Sequence, residues 1–408
     1  MSLRPRAAVA LTALAALAAC SDSSMLSPTA SVDPTASRNV SSTGAAMQAL
    51  HARVCPSAQV GFARCHSLVR VDAAGAPLAT ATPSGYGPAD LQSAYGLAAA
   101  AASNGATQTI AIVDAYNDPN AEADMNTYRS TYGIAACTSA SGCFRKVNQS
   151  GGTNYPKNDG GRAQEISLDL DMASAICPKC KILLVEASSS SFANLSAAVD
   201  EAAKLGATVI SNSYGGSEYA SETTDQSHYN HPGIAITVSS GDNGYGVQFP
   251  AASQYVIAVG GTNLTRSGTA RGWTESVWSG AGSGCSAYIA KSSWQKDAGC
   301  ARRTVADVSA VADPNTGVAV YDSFAYRGSS GWLVFGGTSV ASPIIASVYA
   351  LAGNASTVSS GASLYAAGAS LFDVISGSNG TCGNYLCTGA VGFDGPTGNG
   401  TPNGVSAF

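Results

Sequence analysis

The stretch KILLVEASSSSFANLSAAVDEAAKLGATVISNSYGG (181–216) decides how the chain folds. KILLVEA (181–187) and TVISNSY (208–214) are short runs rich in apolar and β-branched residues, and NLSAAVDEAAKLGA (194–207) between them has helical periodicity. Near-continuous apolar strands joined by helical crossovers predict a parallel sheet covered on both faces. Runs of the same kind recur at TIAIVDA (109–115), IAITVSS (234–240) and YVIAVGG (255–261). Several chemically capable side chains fall just past these strand ends, where α/β sheets place their sites. No internal repeat is visible, so the 408 residues predict a single large α/β unit with additions.

Hydrophobic residues make up 45% of the chain and charged residues 12%, which permits a sizeable core and excludes wholesale disorder. The formal net charge is −5, and no basic block stands out beyond the pair Arg302-Arg303. A nucleic-acid partner is therefore not expected. Arg4 and Arg6 precede the apolar run 7–19, which is too short to cross a bilayer and has the form of an export signal. It ends in LAAC (17–20), similar to the lipobox of bacterial lipoproteins, where Cys20 would be lipidated. An ordinary cleaved signal that happens to contain a cysteine is the alternative. Either way the expectation is export; on the first reading a lipid anchor on Cys20 is the only membrane contact.

Setting Cys20 aside leaves ten cysteines in five close pairs: Cys55/Cys65, Cys137/Cys143, Cys177/Cys180, Cys285/Cys300 and Cys382/Cys387. That grouping fits local disulfides in an oxidising compartment. CPKC (177–180) has no second C-x-x-C with which to build a zinc site. Residues 21–84 are rich in Ser, Thr, Ala and Pro and read as a tether or short pro-segment. Order is expected from GYGPADLQSAYGL (85–97), where Pro88 opens a helix, to the end at 408.

AQEISLDLDMASAIC (163–177) predicts a helix. At about 100° per residue Glu165 and Asp169 fall on one arc with Met172 and Ile176, while Ser167, Asp171 and Ser174 collect opposite, and Asp171 is assigned to solvent. Two carboxyls one turn apart on an apolar face are costly unless hydrogen-bonded or sharing a proton. Their raised pKa suits general acid/base work, although two edge acids in structural bonds would read the same. Asp242 in VSSGDNGYG (238–246) ends a strand in a glycine-rich turn. It is either plain turn chemistry or, protonated, a donor to an oxyanion. In GGTSVASP (336–343), Ser339 precedes the helical run VASPIIASVYAL (340–351), with Pro343 expected in its first turn. A serine at a helix N-terminus meets backbone N–H groups that favour developing negative charge.

GGTSVASP, SSGDNG, SNSYGG (211–216) and EISLD (165–169) together resemble the sedolisins, serine-carboxyl peptidases with a subtilisin-like fold in which a Glu replaces the usual His. The resemblance implies a three-layer α/β/α architecture with a mostly parallel central sheet. It also implies Ser339 as nucleophile, Glu165 as general base, Asp169 as its polarising partner and Asp242 as the oxyanion-hole acid, with best activity in acid. SNSYGG is similar to the edge strand that pairs with extended polypeptide substrate, placing Ser211, Asn212, Ser213, Tyr214 and Gly215 at the substrate. Asp114, ending TIAIVDA, would extend the hydrogen-bond chain to Asp169 or simply cap the next loop. LFDVISGSNG (371–380) and TGAVGFDGPTGNG (388–400) resemble the two halves of the family's calcium site. One structural Ca²⁺ would then be held by the Asp373 and Asp394 carboxylates and the Val374, Ala390 and Gly392 carbonyls. The stretch 21–84 is too short for the large folded pro-domain typical of the family.

Two rival functions follow from other features. The peptidase is expected to be a monomer; a surface lipoprotein on the same scaffold would instead bind peptides or other ligands without turnover, and would be marked by loss of a catalytic residue. A histidine-dependent hydrolase would use His228 or His231 in HYNHPG (228–233), a polar stretch that otherwise reads as a surface loop.

Overall fold

The computed structural model describes residues 49–357 and 360–408. Among the described residues the central sheet has eight strands: β1 (Thr109–Ala115), β2 (Phe144–Asn148), β3 (Lys181–Ala187), β4 (Val209–Asn212), β5 (Ala235–Ser239), β6 (Ile257–Arg266), β7 (Trp273–Val277) and β8 (Val308–Val311). They lie in the order β7-β6-β5-β4-β1-β3-β2, with β8 also beside β6. Every pairing is parallel except β6 with the edge strand β7. The opening stretch becomes β3, a helix and β4, and β1 inserts between the two strands it connects. Ser191 starts that helix by accepting from Asn194 N at 3.3 Å.

Alternation along the strands divides the core in two. Ile110, Ile112, Ile182 and Leu184 face α2 (Gly160–Ile176) and α4 (Thr338–Ala352). Ala111, Val113, Leu183 and Val185 face α3 (Phe192–Lys204). Helix α1 (Ala121–Thr131) packs outside α2. This is the expected three-layer α/β/α arrangement with a mostly parallel sheet. All five cysteine pairs form disulfides as their spacing predicts. Closing the Cys285–Cys300 loop is worth about 3 kcal/mol in the chain-entropy account.

Three expectations are corrected. First, the folded body begins well before Gly85. His51–Arg53 pairs with Leu68–Arg70, which in turn pairs with the strand Ser329–Gly336, and Arg64–Cys65 pairs with Tyr214–Ser217. These strands are only two or three residues long, too short to show a periodic pattern of their own. Second, α2 has no solvent face: Asp171 is buried and accepts from Tyr321 N at 2.9 Å, and Ser174 Oγ accepts from Arg129 Nη1 at 3.1 Å. A helix enclosed by α1, α4 and the strand Val318–Tyr326 buries its polar stripe against partners instead of water. Third, Pro343 sits in the second turn of α4, not the first. Lacking an N–H, it leaves the Ser339 carbonyl, four residues back, without its helical partner.

Cys20 and the stretch 1–48 lie outside the described residues. No described helix is long and apolar enough to cross a membrane.

Candidate active site

Helix α4 begins at Gly337, whose φ of 99° is the left-handed region that glycine tolerates. A Cβ there would come within 2.2 Å of the His66 carbonyl oxygen and 2.7 Å of Asp242 Oδ2, so the position requires glycine for space as well. Ser339 follows two residues later, fully buried. Its Oγ donates to Ser213 O at 3.2 Å, and its N–H donates to His66 O at 2.9 Å.

The run expected as one strand through Tyr214 breaks after Asn212 and resumes as Tyr214–Ser217 in a different sheet. The break turns Ser213 into the site. Its hydroxyl lies 2.7 Å from Asp169 Oδ1 and 3.3 Å from the Ser339 carbonyl that Pro343 leaves unbonded. One hydroxyl proton serves both oxygens only when Asp169 is itself protonated and donates.

Helix α2 starts on Asp159, which accepts from Arg162 N at 3.0 Å, and carries Glu165 and Asp169 one turn apart toward α4. Both are fully buried. Burial pushes Glu165 up to about 7; the hydroxyls of Ser339 and Ser67 and the Arg162 guanidinium oppose that shift, and Asp242 adds to it. No partner meets full hydrogen-bond geometry at either Glu165 oxygen among the described residues. Burial also raises Asp169 well above the carboxylate range, helped by Asp114 and Glu165 beside it. Asp114, at the end of β1, is raised by burial and by the Glu165 charge. The three acids are all buried and act on one another through their charges, so their titration belongs to the set.

Asp242, beyond the end of β5, accepts at Oδ1 from Thr338 N and Thr338 Oγ1, both at 2.8 Å. Its Oδ2 has no partner among the described residues and points to the notch at Gly337. Burial raises Asp242 to about 6 against the pull of the Thr338 bonds and of Arg53 and Arg64. A neutral Asp242 can donate from Oδ2 into the notch that the Ser339 N–H also faces.

The remaining sequence-selected residues divide. Tyr214 and Gly215 lie in a strand paired on both sides, with Gln248–Phe249 and with Arg64–Cys65, so it presents no open edge. Ser211 and Asn212 are buried in structural bonds: Ser211 Oγ lies 3.1 Å from Ser342 Oγ, and Asn212 Nδ2 donates to Thr237 O at 3.0 Å. His228 and His231 both bind Asp200 on α3, at 2.6 and 3.0 Å, on the other face of the sheet. Sequence reasoning missed Arg162, Ser67, Thr338 and the approach of His66. Arg162, three residues before Glu165, shares its helix face and was open to detection, as was Thr338 beside Ser339; Ser67 and His66 arrive from far along the chain.

In the C-terminal loops, Gly392 N donates to Asp373 Oδ2 at 2.9 Å, tying the two halves together, and Ala390 N donates to Asp394 Oδ2 at 3.1 Å within the second. Burial pushes Asp394 up to about 7, and the Asp373 charge adds to the shift. Asp373 lies near enough for its charge to act on Asp394, and two such carboxyls supply hard oxygen donors of the kind calcium takes. No cluster of three or more His, Cys, Asp or Glu with metal-binding geometry occurs among the described residues.

Residues 148–367, more than half the chain, match the family model described as the subtilase family. Over 306 residues the chain is 30% identical to kumamolisin of Bacillus sp. (strain MN-32), covering 66% of this chain and 52% of that protein. Over 386 residues it is 29% identical to sedolisin of Pseudomonas sp. (strain 101), covering 82% and 63%. The chain thus spans between half and two thirds of the length of these relatives. Among solved structures it is similar to Pseudomonas sedolisin, described as a serine-carboxyl proteinase complexed with two molecules of pseudo-iodotyrostatin. The TM-score is 0.65 at 28% identity, covering 79% of this chain and 96% of that one. By these matches the chain belongs to the subtilase family, in its sedolisin branch.

Proposed function

We propose that the chain is a serine-carboxyl peptidase that hydrolyses peptide bonds of polypeptides in acid. The observation that carries this is the buried group Ser339, Glu165, Asp169 and Asp242, with no imidazole able to take the serine proton. The one histidine nearby, His66, has both ring nitrogens engaged, by Ser239 Oγ at 2.7 Å and Gln248 Oε1 at 2.8 Å. Burial and the Arg64 charge push its pKa down to about 3, so it is neutral.

In this reading Ser339 Oγ attacks the carbonyl carbon and its proton passes to Glu165. The oxyanion is held by the Ser339 N–H and by protonated Asp242. Glu165 then protonates the leaving amine, and water releases the acyl group by the reverse proton path. Asp169, with Asp114 behind it, sets the proton inventory of Glu165. Digestion of a denatured protein by the purified chain in mild acid, with an intact-fold Ser339→Ala form inert, tests the reading.

A structural Ca²⁺ at Asp373, Asp394 and the Val374, Ala390 and Gly392 carbonyls belongs to the same proposal. Bound at a hundred times its Kd, the ion would add about 2.7 kcal/mol to stability. Chelation should therefore lower Tm by several degrees, reversibly on adding calcium; an unchanged Tm would remove the site. Export also remains part of the proposal, as a monomer anchored through a lipid on Cys20 or secreted. It is supported by the leader-like start and by five disulfides.

A further inference from the structure

The chain shows on itself how an extended polypeptide lies in the site. Arg64 and Cys65 pair antiparallel with Gly215 and Tyr214. His66, the next residue, donates from N to Ser213 O at 3.2 Å and accepts at O from Ser339 N at 2.9 Å. That carbonyl oxygen shares the Gly337 notch with Asp242 Oδ2, where the proposed mechanism holds the oxyanion. His66 therefore stands where a substrate places the residue whose carbonyl is attacked. The pocket around its ring is the pocket for that residue's side chain.

This pocket suits a planar ring with two polar edges. Its floor is Gly215: an added Cβ would come within 2.6 Å of His66 Cε1 and 3.1 Å of Nε2, so only glycine leaves room. Ser239 Oγ, at the end of β5, lies 2.7 Å from Nδ1, and Gln248 Oε1 lies 2.8 Å from Nε2. The ring is fully buried. Gln248 is itself held, since it pairs with Ser217 and its side chain lies against Gly241, where an added Cβ would come within 3.0 Å of the amide nitrogen. An amide oxygen only accepts, so Nε2 carries a proton. The Ser239 hydroxyl gives its proton to Nδ1 of a neutral ring or accepts one from a charged ring. Imidazole satisfies both groups in either state. A phenyl or aliphatic side chain would leave the hydroxyl and the amide oxygen buried without partners, and a carboxylate would set acceptor against acceptor at Gln248.

We propose that the peptidase prefers polypeptide bonds that follow a histidine, and that Ser239 and Gln248 are the residues that read its imidazole. The proposal rests on the peptidase reading above and adds the side chain it selects. Ser239 and Gln248 take no part in the proton path; they decide which bond is cut, not how. Two buried hydrogen bonds made with one side chain and left unmade with another correspond to roughly ten- to a hundredfold in kcat/KM.

The test uses the purified full chain and two peptides that differ only in carrying His or Phe before one central bond. Their kcat/KM values are compared at a single mildly acid pH, with each cut located by mass spectrometry and digestion of a denatured protein measured in the same samples. The His peptide should be cut faster by roughly ten- to a hundredfold, and cuts in the denatured protein should cluster after histidine. Gln248→Leu should bring the ratio close to one, chiefly by slowing the His peptide. Ser239→Ala should move it the same way, so the assignment does not hang on the folding of one variant. Equal or faster cutting after Phe by the wild type overturns the proposal. So does a ratio that both variants leave unchanged, and in either case the peptidase reading stands. If neither the peptides nor the denatured protein are cut, the peptidase reading falls and takes this inference with it.

Discussion

Replacing Ser339 by alanine is expected to lower turnover of a denatured protein by about 10⁴- to 10⁶-fold, the range for removing the nucleophile of a serine peptidase. Two neighbouring hydroxyls are committed elsewhere. Ser213 Oγ is committed to Asp169 and the Ser339 carbonyl, and the Thr338 hydroxyl to Asp242. The cost to the fold should be small. The methyl group occupies the same space in the first turn of α4, and the one bond lost, to Ser213 O, is worth about 1 kcal/mol. Activity should vanish while Tm moves by only a few degrees. A Ser339→Ala protein that still digests substrate would place the chemistry elsewhere. An inert wild type that binds peptides would turn the weight to the non-catalytic lipoprotein.

Glu165→Gln should lower kcat by at least about 10³-fold with KM nearly unchanged. The amide keeps the shape of the carboxyl but cannot take the serine proton or return it to the leaving amine, a contribution typically worth 10²- to 10⁴-fold. The sign of the stability change is part of the prediction. Glu165 is fully buried with neither oxygen in a well-formed bond among the described residues, so ionising it inside the protein is unfavourable. An amide removes that penalty, and near pH 7 the variant should be at least as stable as the parent. Loss of activity with a preserved or raised Tm separates a chemical role from a structural one. Retention of activity within tenfold would remove Glu165 as the base.

Much of the fold and of the site is legible in the residues alone. β1, β3, β4, β5 and β6 announce themselves as apolar runs, and the disulfides as close cysteine pairs. Helical phase alone brings Glu165 and Asp169 to one face. Hidden features share one cause: they depend on partners remote in sequence. Asp171 and Ser174 are polar because Tyr321 N and Arg129 await them, yet along the helix they mimic a solvent face. The break at Ser213 carries no turn signal, since it is imposed by the bond to Asp169 and by a carbonyl that Pro343 leaves unpaired. The stretch 51–70 looks like a tether because Arg64–Cys65 and Leu68–Arg70 are completed by Tyr214–Ser217 and Ser329–Gly336, far along the chain. Asp242 reads as turn chemistry until Thr338 and Gly337 are seen beside it.

The central claim is that carboxyls do the work of an imidazole, and the dependence of kcat/KM on pH tests it most directly. Asp242, raised to about 6, donates to the oxyanion only while protonated, so that support is lost as pH rises through its pKa. Glu165, raised to about 7, accepts the serine proton only while ionised, which sets the opposite limb within a coupled group. The product of the two fractions is a bell whose maximum lies on the acid side of neutrality. Measured on a denatured protein or peptide from roughly pH 3 to pH 8, a window spanning carboxylate and imidazole titration, the rate should peak below pH 7 and fall beyond it. A rate that climbs through pH 7 to a plateau would contradict the account and return the role of base to a histidine.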